Sequence, residues 1–222
     1  MIFASIFSGW SADLSPLLSG LRVALELTGL SLLIGFPGGL LTALLVSSNR
    51  RLMRMLGLLI VEIGRGLPLL VLLYIVYQGL PQIHLSLTNF VSAVVAFAWS
   101  TAAYSSEMFR ASLNALPKGQ TEAALASGMN QVDTFRFVLL PQALRIAIPP
   151  LLNLAVQIFQ ATSLAYVITV PEIMQHAYFI GTVSFLYLNV FLLAGLLYAA
   201  VTLPSSALIA RLERRLSRHT SV

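Results

Sequence analysis

The chain has 222 residues, of which 58% are hydrophobic and only 9% charged, with a formal net charge of +5. A soluble domain carries roughly 25% charged residues, so this chain lacks the polar surface to close a water-exposed shell, and several membrane crossings are expected. The absence of cysteine excludes disulfides, thiol catalysis and Cys-based metal sites. His84, His176 and His219 are widely separated and have no metal-ligand spacing. The basic residues sit in short segments beside apolar runs, the pattern of an orientation signal rather than of a nucleic-acid surface.

The first stretch, "MIFASIFSGWSADLSP", has no basic segment ahead of its apolar residues and does not read as a standard signal peptide, so the first crossing must do the targeting. Five apolar runs are long enough to cross: Leu17–Val46, Met55–Leu80, Asn89–Phe109, Leu144–Val170 and Ser184–Ala210. Each must be helical, because an unpaired backbone group in hydrocarbon costs several kcal/mol. The fold class is therefore an all-α integral membrane protein with a single transmembrane domain over residues 1–222, its core at 17–210.

The connections alternate in charge. Arg50, Arg51 and Arg54 follow the first run, "QIHLSLT" without Lys or Arg follows the second, and Arg110, Lys118, Arg136 and Arg145 follow the third. "PEIMQHAYFIGTV" without Lys or Arg follows the fourth, and Arg211, Arg214, Arg215 and Arg218 follow the fifth. The positive-inside rule puts the N-terminus outside and the C-terminus in the cytoplasm.

The longest cytoplasmic piece, residues 112–143, is half polar. "LPKGQ" (Leu116–Gln120) ends the helix descending from the third run. "TEAALASG" reads as a short helix with Glu122 in its first turn and Gly128 at its C-terminal end. "NQVDTFRFVLL" reads as a second short helix capped by Asn130, with Met129, Val132 and Phe135 as an apolar stripe and Pro141 as its stop. A helix–Gly–helix of this size cannot bury its own apolar side. It rests on the membrane surface or serves as a docking element for another protein.

Glu122-Ala123-Ala124, three residues, Gly128, nine residues, Val138, one residue, Leu140-Pro141 resembles the EAA loop of ABC importer permeases, with Val138 where that pattern has Ile. "GRGLPLLVLLYIVYQGLP", "AAYSSEMFRASLNALPKGQTEAA" and "LPQALRIAIPPLLN" are similar to the polar amino acid uptake subfamily, and the similarity runs from about Leu17 to Arg215. The resemblance is to type I, binding-protein-dependent permeases such as those for histidine, glutamine and arginine. It implies five crossings in the inner membrane of a bacterium, and a loop (Glu122, Ala123, Ala124, Gly128, Leu140, Pro141) that couples the permease to an ATPase. Glu122 would supply a charge or acceptor, the two alanines close approach, and Gly128 the bend. The partners implied are a cytoplasmic ATPase dimer, a periplasmic or tethered substrate-binding protein, a second permease subunit (the same chain or another) and membrane lipid. The chain has no GxxxxGK[ST] stretch, so it is not itself an ATPase and carries no cofactor; ATP and Mg belong to the partner.

Ionisable residues inside spans are candidates for the substrate pathway. Glu62 and Arg65 stand i,i+3 and can pair on one face, just before "GLP", where Gly66 and Pro68 favour an interrupted helix. Broken helices border substrate sites in transporters, though both residues could equally snorkel to the headgroups. Glu107 with Arg110 and Arg22 with Glu26 are spaced as structural ion pairs. Tyr104, Gln157 and Ser163 offer donors and acceptors along a polar amino acid's path. Many members of the subfamily carry Lys-Asp just before "TSL"; here Gln160 and Ala161 stand there. A stand-alone secondary transporter or channel, or a membrane scaffold recruiting a cytoplasmic partner, are the other classes that fit the composition.

Overall fold

The computed structural model describes residues 10–217. The first nine residues, which enter the signal-peptide reading, and the tail from Arg218 lie outside the described residues. Every regular element among the described residues is helical: α1 (Trp10–Val46), α2 (Arg51–Gly66), α3 (Leu69–Ile83), α4 (Asn89–Asn114), α5 (Lys118–Ala126), α6 (Gln131–Ile168), α7 (Ile173–Ser184) and α8 (Tyr187–Ser217). By length and composition α1, α6 and α8 can each cross a membrane, and α2 with α3 form a fourth candidate if the bent pair counts as one span.

The run expected to be a single second span is broken. α2 ends at Gly66, and α3 leaves at 109° to it after Leu67 and Pro68. Pro68 has no N–H to donate back into α2, and it holds Leu67 in an extended conformation, φ −90° and ψ 138°. The interruption expected at "GLP" is thus present.

α4 is not among the helices apolar enough to qualify alone. Its sequence alternates small and hydroxyl residues because it is the central helix, packed on α1, α2 and α6. Ser92, Ser100, Thr101, Ser105 and Ser106 are all buried. Their hydroxyls need no outside partner where they bond back to the helix: Thr101 donates to the Phe97 carbonyl at 2.7 Å and Ser106 to that of Ala103 at 2.8 Å. In a bilayer, small residues let helices approach, and close packing drives association. α1 supplies the matching small residues. A Cβ on Gly35 would lie 2.5 Å from the Thr101 Cβ, and one on Gly39 would overlap the Ser105 hydroxyl. Gly35 to Gly39 thus runs in step with Thr101 to Ser105, so α1 and α4 are parallel.

Three apolar clusters extend this seam. Leu27, Leu72, Phe97, Ala165 and Ile168 join α1, α3, α4 and the end of α6. Leu17, Phe159, Ala177 and Val190 join α1, α6, α7 and α8. Ala43, Phe109, Ala147 and Leu151 close the other end of α1 and α4 against the start of α6. α6 therefore runs antiparallel to α1 and α4.

Two connections differ from expectation. "PEIMQHAYFIGTV" is not a bare link but contains most of the 12-residue helix α7, started by a side-chain cap from Glu172. Pro141 does not end a short helix. The chain continues from Gln131 to Ile168, and the residues Thr134–Leu139 just before it are wound as a π-helix. The wider turn accommodates a proline that lacks an N–H and whose ring would crowd the carbonyl four residues back.

Candidate functional site

The loop that carries the Glu-Ala-Ala stretch folds as α5, a tight turn and the start of α6. Pro117 precedes the first residue of α5, where a fixed φ is tolerated. Because the helix begins at Lys118, Glu122 falls in its second turn, not its first. Glu122 is exposed and makes no ion pair or side-chain hydrogen bond among the described residues. Ala123 is exposed as well, whereas Ala124 is buried, 7% accessible, where α5 meets the π turn of α6.

Gly128 has φ +87°. Its N–H donates to the Leu125 carbonyl at 3.0 Å, and that of Met129 to the Ala124 carbonyl at 3.2 Å. These two bonds make a Schellman motif, which satisfies the carbonyls at the end of α5 and requires a left-handed residue at this position. Asn130 then starts α6: its side chain accepts from the Asp133 N–H at 2.9 Å and donates to the Asp133 carboxylate at 2.6 Å. The two caps fix the angle between α5 and α6, and Gln142 reaches back to Gln120 at 3.4 Å. Leu140 and Pro141 lie inside α6, Leu140 half-buried and Pro141 exposed. The expected stripe of Met129, Val132 and Phe135 does not form, since Met129 precedes the helix and Val132 is 72% exposed. The outer face of the loop therefore presents Glu122, Ala123, Leu125, Val132 and Phe137 to whatever surrounds it.

Of the candidates for the substrate pathway, the fold brings Arg65 and Tyr104 together. The Arg65 guanidinium sits 5.9 Å from the centre of the Tyr104 ring and 3.7 Å from the Glu107 carboxylate. Arg110 holds the other oxygen of Glu107 at 2.9 Å, as its spacing suggested. The expected pairing of Glu62 with Arg65 is not made. Gly57, Val61 and Gly64 are the buried residues of α2, and Glu62, one residue past Val61, points about 100° away. Arg65 lies at the edge of that face and reaches across to α4. Glu62, Gln157 and Ser163 join this cluster through no hydrogen bond or ion pair among the described residues; Ser163 donates to its own helix, at the Gln160 carbonyl, 2.8 Å away. Gln157 is exposed on α6 with Asn153 and Gln160, a polar stripe along one face of the helix. Arg22 and Glu26 pair at 2.7 Å on the exposed side of α1.

Residues 35–218 match the family model of binding-protein-dependent transport system inner membrane components. The chain belongs to that family. Its members are the non-catalytic, multi-pass permease components of ABC transporters. Over 208 residues the permease is 38% identical to the L-cystine transport system permease protein TcyB of Bacillus subtilis strain 168, covering 93% of this chain and 89% of the relative. It is 37% identical over 184 residues to the probable amino-acid ABC transporter permease protein YckA of the same strain, covering 83% and 81%. A chain in the crystal structure of an amino acid ABC transporter with histidines matches it with a TM-score of 0.88 at 32% identity, covering 94% of this chain and 98% of that one.

One polar centre of the permease escaped the sequence reading. Glu172, just before α7, is fully buried. Its carboxylate accepts from the N–H groups of Met174 and Gln175 at 2.7 and 2.8 Å and from the Tyr198 hydroxyl of α8 at 2.7 Å. Burial pushes its pKa up to about 7, outweighing three hydrogen bonds that favour the charged form. Glu172 thus ties α7 to α8, while its backbone lies against Gly20 of α1. The available signal was Glu172 following Pro171 directly ahead of an apolar run, an N-cap pattern.

Proposed function

We propose that this chain is the membrane-spanning permease of an ATP-driven importer for polar amino acids, coupled to a separate ATPase through α5 and the Gly128 turn. It crosses the membrane five times, through α1, the broken pair α2–α3, α4, α6 and α8, with the N-terminus outside and the C-terminus in the cytoplasm. The parallel run of α1 and α4 and the opposite run of α6 support this order, and the arginines flanking alternate connections support the orientation.

The observation that carries the reading is the shape of the loop. A doubly capped V exposes Glu122 and Ala123 on one short helix while burying Ala124 beneath it. Caps and burial make α5 rigid with respect to α6, so force applied to α5 passes into a membrane-crossing helix instead of being lost in a flexible link. Coupling of this kind needs a motor, and the likeness to amino-acid permeases supports a cytoplasmic ATPase dimer and a periplasmic or tethered binding protein as partners.

The substrate path runs along the polar stripe of Asn153, Gln157 and Gln160 and past the Arg65–Tyr104–Glu107 cluster. Amides and charges are costly against lipid, so this side faces a second permease subunit rather than hydrocarbon. Glu62 and Ser163 stand at the margins of that path. Co-purification tests the proposal: a stoichiometric ATPase should accompany the solubilised permease. A chain that transports amino acids in liposomes alone would instead be a secondary transporter.

A further inference from the structure

The turn at 47–50 between α1 and α2 leads into a dense group of cations. Arg50 stands just before α2, and Arg51 and Arg54 lie in its first turn; all three are exposed. None of them makes an ion pair among the described residues. Beside them is a groove of about 510 Å³, floored by Leu41, Leu44, Leu45 and Met53 and rimmed by Ser48 and Arg50. The Ser48 hydroxyl oxygen accepts from the Arg50 N–H at 3.2 Å, leaving its own hydrogen to donate.

We propose that this groove binds one anionic phospholipid, with an acyl chain along the leucines and the phosphate diester held by Arg50 and the Ser48 hydroxyl. Two features select that occupant. Leu41, Leu44 and Leu45 of the floor belong to the last turns of α1, a helix long and apolar enough to cross the membrane, so an occupant must come from the bilayer. A soluble acidic partner could reach the arginines but not Leu41. Arg50 on the rim, with Arg51 and Arg54 beyond it in the first turn of α2, has no carboxylate partner among the described residues, which suits a net negative headgroup and repels the amine of a zwitterionic one. A guanidinium matches two phosphate oxygens at once. The site rests on the orientation proposed above only for its assignment to the cytoplasmic leaflet; binding in mixed micelles offers lipid from every side and tests the groove independently of that orientation.

The test is native mass spectrometry of the purified full chain released from micelles containing equal amounts of phosphatidylglycerol and phosphatidylcholine. One retained phosphatidylglycerol is expected, in clear preference to phosphatidylcholine. Replacing Arg50, Arg51 and Arg54 by Ala together should weaken its retention on the order of a hundredfold, at about fivefold per arginine. Leu41→Trp, which fills the groove and leaves every arginine in place, should also displace it. Arg211→Ala with Arg215→Ala, which removes two cations elsewhere, should leave it bound. Equal retention of the two lipids, an unchanged Leu41→Trp variant, or equal loss in the Arg211 and Arg215 variant would overturn the proposal. So would a triple variant that keeps its lipid but loses the ATPase, since the arginines would then serve the protein partner.

Discussion

Arg65 of α2 and Glu107 of α4 meet at 3.7 Å, and Arg110 shares the same carboxylate at 2.9 Å. One acid therefore serves two cations, at the point where the broken helix pair touches the central helix. The arrangement makes Glu107 the least replaceable of the three. Glu107→Gln leaves two neighbouring arginines with no counter-charge, whereas Arg65→Gln leaves a complete Glu107–Arg110 pair. Thermal unfolding in detergent should show a loss of about 1 kcal/mol for Glu107→Gln and less for Arg65→Gln, because all three side chains are about a third exposed or more. Equal losses would mean that the cluster is not organised around Glu107.

The two alanines of the loop separate fold from docking. Ala123 is exposed, and Ala123→Leu should change stability by no more than about 0.5 kcal/mol. It should nevertheless reduce the amount of ATPase that co-purifies. Ala124 is on the buried face of α5, and Ala124→Leu should cost about 1–3 kcal/mol through overpacking. Paired thermal-unfolding and pull-down measurements check both halves.

The α1–α4 seam gives a similar contrast. Gly35→Leu places its side chain into Thr101, and a loss of about 1–3 kcal/mol or more is expected. Gly29 lies on the same helix with nothing within 4 Å of where a Cβ would stand, so Gly29→Leu should be close to neutral. The unfolding midpoints of the two variants measure the difference directly.

Glu172 makes the fold respond to pH. Its folded pKa of about 7 lies above the ordinary 4.5, so the folded state holds the proton more tightly than the unfolded one. The stability it contributes is fully present below about pH 4.5 and is lost as pH rises through about 7. Glu172→Gln, which cannot ionise, should remove this contribution to the fall in melting temperature between pH 4.5 and 7. An unchanged pH profile in that variant would contradict the assignment.

What the sequence disclosed was mostly local. Gly128, Asn130 and Pro68 act through their own backbone chemistry, and the left-handed turn, the cap and the break stand where those residue types suggested. What it hid was relational or off-period. Arg65 chose Glu107, 42 positions away in the chain, over Glu62 three positions away, because the buried face of α2 turns Glu62 outward. Met129 belongs to the turn that closes α5 and not to α6, and Val132 is exposed, so the spacing of three that made Met129, Val132 and Phe135 look like one stripe spans two elements. α7 was missed because a connection without Lys or Arg was read for its charge and not for the cap that Glu172 supplies. α4 carries less apolar sequence than its neighbours because it packs as the central helix, where Thr101 and Ser106 bond inward to its own carbonyls.

The coupling role of the α5–Gly128–α6 turn is tested most directly by Gly128→Asp in the assembled transporter. The turn needs φ +87°, and a side chain there both strains the Schellman motif and alters the angle at which α5 is offered. Co-purification of the ATPase and ATP hydrolysis stimulated by the liganded binding protein should be measured beside membrane insertion of the variant. Normal insertion with loss of both the ATPase and the stimulated hydrolysis is expected. Normal insertion with wild-type ATPase association and wild-type stimulated hydrolysis would contradict the coupling role.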